Sequence, residues 1–306
     1  MTTNNLYLTR INGREVLVEA GHAEWLAQSL IELHSQEKAL ELRVQKEPVL
    51  AGSVTIDNDD GYWPDSDSWL SYYRPYSVQN GVLHIPIQGV LVHGLSYAYG
   101  TWATGYTYIR RALSRGLEDP EVRGIAFVIN SGGGEVSGNF DLVDFAYAAR
   151  GRKPTMAFVN EHAYSAAYSI ASVADKISMA RTGGVGSIGV LTAWVGMSGA
   201  LEKAGIEVKL LFAGAHKVDG NPYEKLPKDV QERTLARLGT LYGIFTATVA
   251  RNLGVDEQVI RDTEALTYGA EDAVRIGLAH EVRAFDEAMA AFSSAPNIQA
   301  GDQIVS

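Results

Sequence analysis

The chain has 306 residues, with 26 Lys and Arg against 36 Asp and Glu, a formal charge of −10 and no cysteine. That length suffices for one large domain with an extension, or for two modest ones. Without cysteine there are no disulfides, thiolate nucleophiles or Cys-ligated zinc or iron–sulfur sites, so any nucleophile carries oxygen or nitrogen. The acidic balance removes the electrostatic footprint of a nucleic-acid binder and makes anionic membranes poor partners. The opening MTTNNLYLTRINGREVL has no basic stretch followed by an apolar one. No window reaches the roughly 18 consecutive apolar residues of a spanning helix, so the expectation is a soluble cytoplasmic protein with no integral membrane segment.

In chain order, residues 22–45 carry helix formers with apolar positions at Trp25, Leu26, Leu30, Leu33, Leu40 and Leu42, the pattern of an amphipathic helix. An irregular connector follows, with Asp57, Asp59, Asp60, Asp65 and Asp67 among Trp63, Trp69, Tyr72, Tyr73 and Tyr76. DNDDGYWPDSDS is not a calcium loop, since Gly61 comes too early and Ser68 stands where the twelfth-position Glu belongs. From Gly81 the pattern becomes regular. GVLHIPIQGVLV reads as β, GYTYIRRALSRGLED as a helix, and GIAFVIN as a buried strand. A glycine turn leads into a helix over 137–150. Then come strand PTMAFV, a helix of small residues over 165–174, strands KISMA and SIGVLTAWV, helix SGALEKAG and strand IEVKLLF. A long helix spans 227–252, shorter ones start at Asp256 and Gly269, and the tail SSAPNIQAGDQIVS is polar. The alternation predicts an α/β fold.

Gly184-Val-Gly186-Ser-Ile-Gly189 matches a dinucleotide fingerprint, but that fingerprint must open a helix and here a β-type run follows, so no cofactor is expected. Asn130-Ser131-Gly132-Gly133-Gly134 ends a strand, and its glycines could present backbone N–H groups to an anion or simply make a turn. Ser165 stands where a strand ends and a helix begins. It is either an N-cap or a nucleophile at a site that favours developing negative charge. Ser169, one helical turn further on, reads as dispensable. A nucleophilic serine needs a base. Of the seven histidines, His162 and His216 are the ones to test, and neither stands out. A lysine can serve only in its neutral form, and Lys217 lies among small and turn residues in FAGAHKVDGNPY rather than in a charged run.

At NSGGGEVSG, the serine segment, TGGVGSIGV and AGAHKVDGNPYEKLPKDVQ, in that order, the sequence resembles the signal peptide peptidase A family of Ser-Lys proteases, and within it the phage branch of head maturation proteases. The likeness covers about residues 81–282, and the spacing from Ser165 to Lys217 is also the family's. It implies an α/β crotonase/Clp-protease-like fold of repeated β-β-α units with an N-terminal helical extension. It further implies Ser165 as nucleophile, Lys217 as general base, and the amides of Gly133 and Ala166 as the oxyanion hole. Two departures from the family pattern are Gly132, where Pro is common, and Ala166, where bacterial members often carry Gly. The expected division is an extension over 1–80, a protease domain over 81–283, and a helix with a tail over 284–306.

The function so implied is a serine endopeptidase of phage head assembly acting on scaffold or capsid protein, without metal or cofactor, located in the host cytoplasm or the procapsid interior. A signal-peptide-degrading bacterial peptidase, a non-catalytic capsid assembly protein and a crotonase-type acyl-CoA enzyme are the alternatives. A homo-oligomer is expected, because relatives form rings and a neutral lysine needs dry walls.

Overall fold

The computed structural model describes residues 16–18, 77–96, 98–295 and 298. The helix expected over 22–45 and the acidic aromatic connector lie outside the described residues, as does most of the polar tail.

The centre is three parallel strands, β3 (Val82–Val92), β6 (Gly124–Glu135) and β7 (Thr155–Tyr164), in the order β3-β6-β7. β6 and β7 begin as near-continuous apolar runs because both faces are covered, while β3 alternates, with His84 and Pro86 half-buried. On one face Leu83, Ile85, Ile87, Ile125, Phe127 and Ile129 pack with α1 (Tyr106–Glu118), α2 (Asn139–Ala148) and α3 (Ala166–Ala171). On the other face the alternate residues Val82, Ala126, Met156 and Phe158 meet α8 (Phe285–Ser293), where Phe285 sits edge-on to Phe158 at 4.9 Å.

Among the described residues eleven strands join this one sheet. β5 (Ala103–Gly105) extends it beyond β3, with β4 (Ala98–Tyr99) antiparallel to β5. β2 (Ser77–Gln79) forms a hairpin with β3, and β1 (Val16–Val18) pairs antiparallel with the end of β6. Beyond β7 lie β8 (Lys176–Met179) and β9 (Gly184–Gly186), followed by β10 (Thr267–Gly269) antiparallel to β9 and β11 (Glu281–Val282) parallel to β8. The expected α/β alternation is therefore present.

Three local expectations are corrected. NSGGG is not a sharp strand-to-helix turn. β6 runs through all three glycines to Glu135, with register shifts against both neighbours near Asn130, and α2 starts only at Asn139. SIGVLTAWV is not a continuous strand, since β9 is the preceding GVG and only an isolated bridge falls at Leu191. IEVKLLF pairs with nothing among the described residues. Its alternating pattern lacks the neighbouring strand that would satisfy its backbone.

The segment over 190–227 thus forms an arm rather than a layer. Its one helix, α4 (Ser198–Lys203), buries no residue, while Val195, Ile206, Leu211 and Phe212 are exposed. The arm is stitched by Met197 N–H to Pro222 O at 2.6 Å and by the Trp194 indole N–H to Gly220 O at 3.0 Å. α5 (Lys228–Leu253) leads back into the body. Its last third buries Phe245, Val249 and Ala250, whereas only Val230 is buried in its first half. α6 (Glu257–Arg261) and α7 (Ala270–Arg275) complete the fold. No helix among the described residues is long and apolar enough to cross a membrane.

Candidate active site

Ser165 is fully buried at the junction of β7 and α3, with φ 52° and ψ −118°. A positive φ is strained for a residue with a Cβ, on the order of 1–3 kcal/mol, and it persists only where the surroundings fix it. Here they do. The Ser165 N–H donates to Gly186 O at 2.9 Å, and its carbonyl accepts from Ser169 N–H at 3.1 Å. The hydroxyl caps nothing in α3, so the N-cap reading fails, and its one hydrogen bond among the described residues is a long one, 3.4 Å to Gly189 O.

Behind the serine lies a buried polar chain. Asn139 Nδ2 donates to Ala166 O at 3.2 Å, and the Ser169 hydroxyl reaches both Asn139 Oδ1 at 2.8 Å and Ala166 O at 2.7 Å. Ser172 Oγ accepts from Asn252 Nδ2 at 2.9 Å, linking the far end of α3 to α5. Ser169, read from the sequence as dispensable, is bonded into this chain, and Asn139 is a residue that motif reading missed. The only signal for it was an amide side chain at the start of the helix that follows the glycines. Next to Asn139, Tyr106 donates to Glu135 O at 2.6 Å. Burial, then the Glu135 charge, push the Tyr106 phenol well above its ordinary range against an opposing bond to Asn139.

The glycine segment stands beside the serine. The last β6–β7 pair is Ser131 with Ala163, two residues before Gly133 on one strand and two before Ser165 on the other. Gly133 has φ +109°, and a Cβ on Gly134 would lie 2.0 Å from Leu91 O, so both positions require glycine. The Gly133 amide donates to Ser131 Oγ at 3.1 Å, a contact that an oxyanion would have to share or replace. Ala166 opens α3, so its amide has no partner one turn back in the helix. A cleft of about 410 Å³ borders the same segment, lined by Thr101, Trp102, Asn130, Gly132, Glu161 and His162, with Asn130 donating to Glu161 at 3.0 Å.

The bases do not converge in the same way. Lys217 sits on an exposed turn of the arm, its N–H on Gly214 O at 3.1 Å, and shares no hydrogen bond with Ser165. His216 is exposed and bonded to Asp219 at 3.0 Å, and His162 stacks on Tyr164 at 5.0 Å. Ser165 and Ala166 thus adjoin at the end of β7, Gly133 lies on the neighbouring β6, and Lys217 stands on the exposed arm.

The model of peptidase family S49 matches residues 148–299, which contain both Ser165 and Lys217. The chain carries a peptidase family S49 domain. Among similar proteins, the capsid assembly protease C of Escherichia phage lambda is 39% identical over 212 residues, 68% of this chain and 48% of that protein. The head-tail preconnector protein GP5 of Enterobacteria phage P21 is 35% identical over 225 residues, 73% of this chain and 45% of that protein. The chain thus spans about half the length of these curated relatives. Among solved structures, an enoyl-CoA hydratase/isomerase from Legionella pneumophila superposes with a TM-score of 0.43 at 15% identity, covering 72% of this chain and 74% of the other.

Proposed function

We propose that this S49 chain is a serine endopeptidase of phage head assembly, cutting scaffold or capsid protein, with Ser165 as nucleophile and Lys217 as general base. The observation that carries the reading is Ser165 itself, a buried serine clamped at φ 52° whose hydroxyl serves no cap. In the reaction, neutral Lys217 takes the Oγ proton as Ser165 attacks the peptide carbonyl. The amides of Gly133 and Ala166 hold the oxyanion, and the proton passes to the leaving amine. Water then releases the acyl group from Ser165.

Because Lys217 rides on an exposed arm, the base at each Ser165 is supplied by the Lys217 of a second copy in a homo-oligomer. The exposed apolar side chains of the arm support this, Leu211 at 88% and Phe212 at 53%, since packing them on a neighbour would dry the lysine's surroundings. The expected setting is the host cytoplasm or the procapsid interior, and the protease unit spans 81–283 with an N-terminal extension.

A fluorophosphonate probe together with a casein-type proteolysis assay tests the nucleophile. The unsubstituted chain takes up the probe and cuts, while Ser165→Ala does neither and melts at nearly the same temperature, since no cap is lost. Proteolysis by purified Ser165→Ala at the normal rate would end the assignment.

A further inference from the structure

A β-strand has two edges, and at Gly133 and Gly134 of β6 both are taken. β3 holds one, through Val90 opposite Gly133 and Leu91 opposite Gly134. β7 holds the other only as far as Ser131, after which it turns off into Ser165 and α3. β1 pairs antiparallel with the edge so released, Val16 opposite Glu135, Leu17 opposite Gly134 and Val18 opposite Gly133. The chain's own residues 16–18 therefore lie along the side of β6 that faces Ser165.

A peptide positioned for attack by Ser165 must lie on that same edge. An oxyanion held by a backbone N–H of a strand takes the place of a ladder carbonyl, so the residues around it run extended alongside the strand. Adding a strand to an open edge is a general mode of peptide recognition, because the backbone supplies the hydrogen bonds whatever the sequence.

We propose that the β6 edge at Gly133–Glu135 is the docking edge for an extended peptide, added antiparallel to β6, and that residues 16–18 are its internal occupant, which every such peptide must displace. This rests on the reading of Ser165 and Gly133 given above. The described part of β1 is a ladder of three residues, small enough to give way. A closed fraction lowers apparent affinity in proportion to the fraction that is open.

The test uses the full chain carrying Ser165→Ala, so that binding is read without turnover. The probe is a fluorescein-labelled synthetic peptide of residues 12–22, NGREVLVEAGH. Adjacent strand residues point their amides to opposite sides, so Val16→Pro with Leu17→Pro removes a β1 donor to β6 whichever parity holds. Fluorescence anisotropy is expected to show binding at least about tenfold tighter to the proline pair than to the chain with intact β1. The same peptide bearing both prolines is expected not to bind. Equal affinity for the two chains, or no binding to either, overturns the proposal. If the proline pair unfolds the chain, Val16→Gly with Leu17→Gly and Val18→Gly weakens the strand more gently, and about a threefold gain is then required. Cleavage is read separately on the chain with Ser165 intact, and its absence beside the expected binding fails the protease reading and not this one. A chain that cleaves with β1 indifferent fails this one alone.

Discussion

At the scale of single residues, Asn139 has the most to lose. It lies 26 positions before Ser165 in sequence yet bonds to the carbonyl of the next residue, Ala166, and accepts from Ser169. Replacing it by Ala removes one bond each from Ala166 O and the Ser169 hydroxyl, which keep only each other, at a cost of about 0.5–1.5 kcal/mol per bond. It also frees the first turn of α3, which carries the proposed nucleophile. Asn139→Ala is expected to lower kcat at least about tenfold with little change in KM, and Ser169→Ala to move in the same direction by less. Peptidase kinetics beside a thermal melt check this, and a loss of stability with unchanged kcat would make Asn139 purely structural. The sequence announced Ser165 because a serine opening a run of small helical residues is a local pattern. Of the chain behind it the sequence carried only an amide side chain at a helix start, since a hydrogen bond between residues so far apart leaves no periodicity.

At the scale of elements, GIAFVIN, PTMAFV and the helices at 106–118 and 228–253 were legible because apolar periodicity reports burial directly. The glycine run misled because glycine is a poor strand former, while the contact that keeps it extended, Gly134 against Leu91, is made by a strand more than 40 residues away. IEVKLLF misled in the opposite sense, with strand-like composition and no partner. The C-terminal clasp was also silent. His280 accepts from Ile177 N–H through Nδ1 at 3.0 Å and donates its own N–H to Ile177 O at 2.9 Å, joining β11 to β8. Burial, then the nearby Lys176 charge, hold the His280 imidazole below its ordinary range, so the folded chain keeps it neutral. The unfolded chain protonates first as pH falls through about 6.5. This contribution to stability is therefore complete above that value and lost progressively below it, levelling off under the folded pKa. Between pH 7.5 and 5.5 the melting temperature is expected to fall more for the unsubstituted chain than for His280→Asn, and equal falls would remove His280 from the account.

At the scale of the whole molecule, the body is a sheet covered on both faces, and the arm over 190–227 with the first half of α5 projects its apolar groups outward. If Ser165 is served by the Lys217 of a second copy, two inactive chains can repair one another. Ser165→Ala and Lys217→Ala, each inactive alone, are expected to recover roughly a quarter of normal activity when reassembled in equal amounts, since random assembly in a closed symmetric oligomer pairs an intact serine with an intact lysine at that frequency. Light scattering is expected to report an oligomer, and activity to fall on dilution. A mixture as dead as its components would place both residues within one chain.

The two register shifts near Asn130 bear on how this chain can change over evolutionary time. A glycine-rich stretch ordinarily tolerates gained and lost residues, but here it is a strand gripped on both sides, with alternation already offset once against β3 and once against β7. One residue added between Ile129 and Glu135 would turn Gly133 to the opposite side and carry a side chain into the space held open at Gly134. The arm has no such register to keep. Length variation within this fold should therefore collect in the arm and be purged from the glycines, the reverse of what their composition suggests.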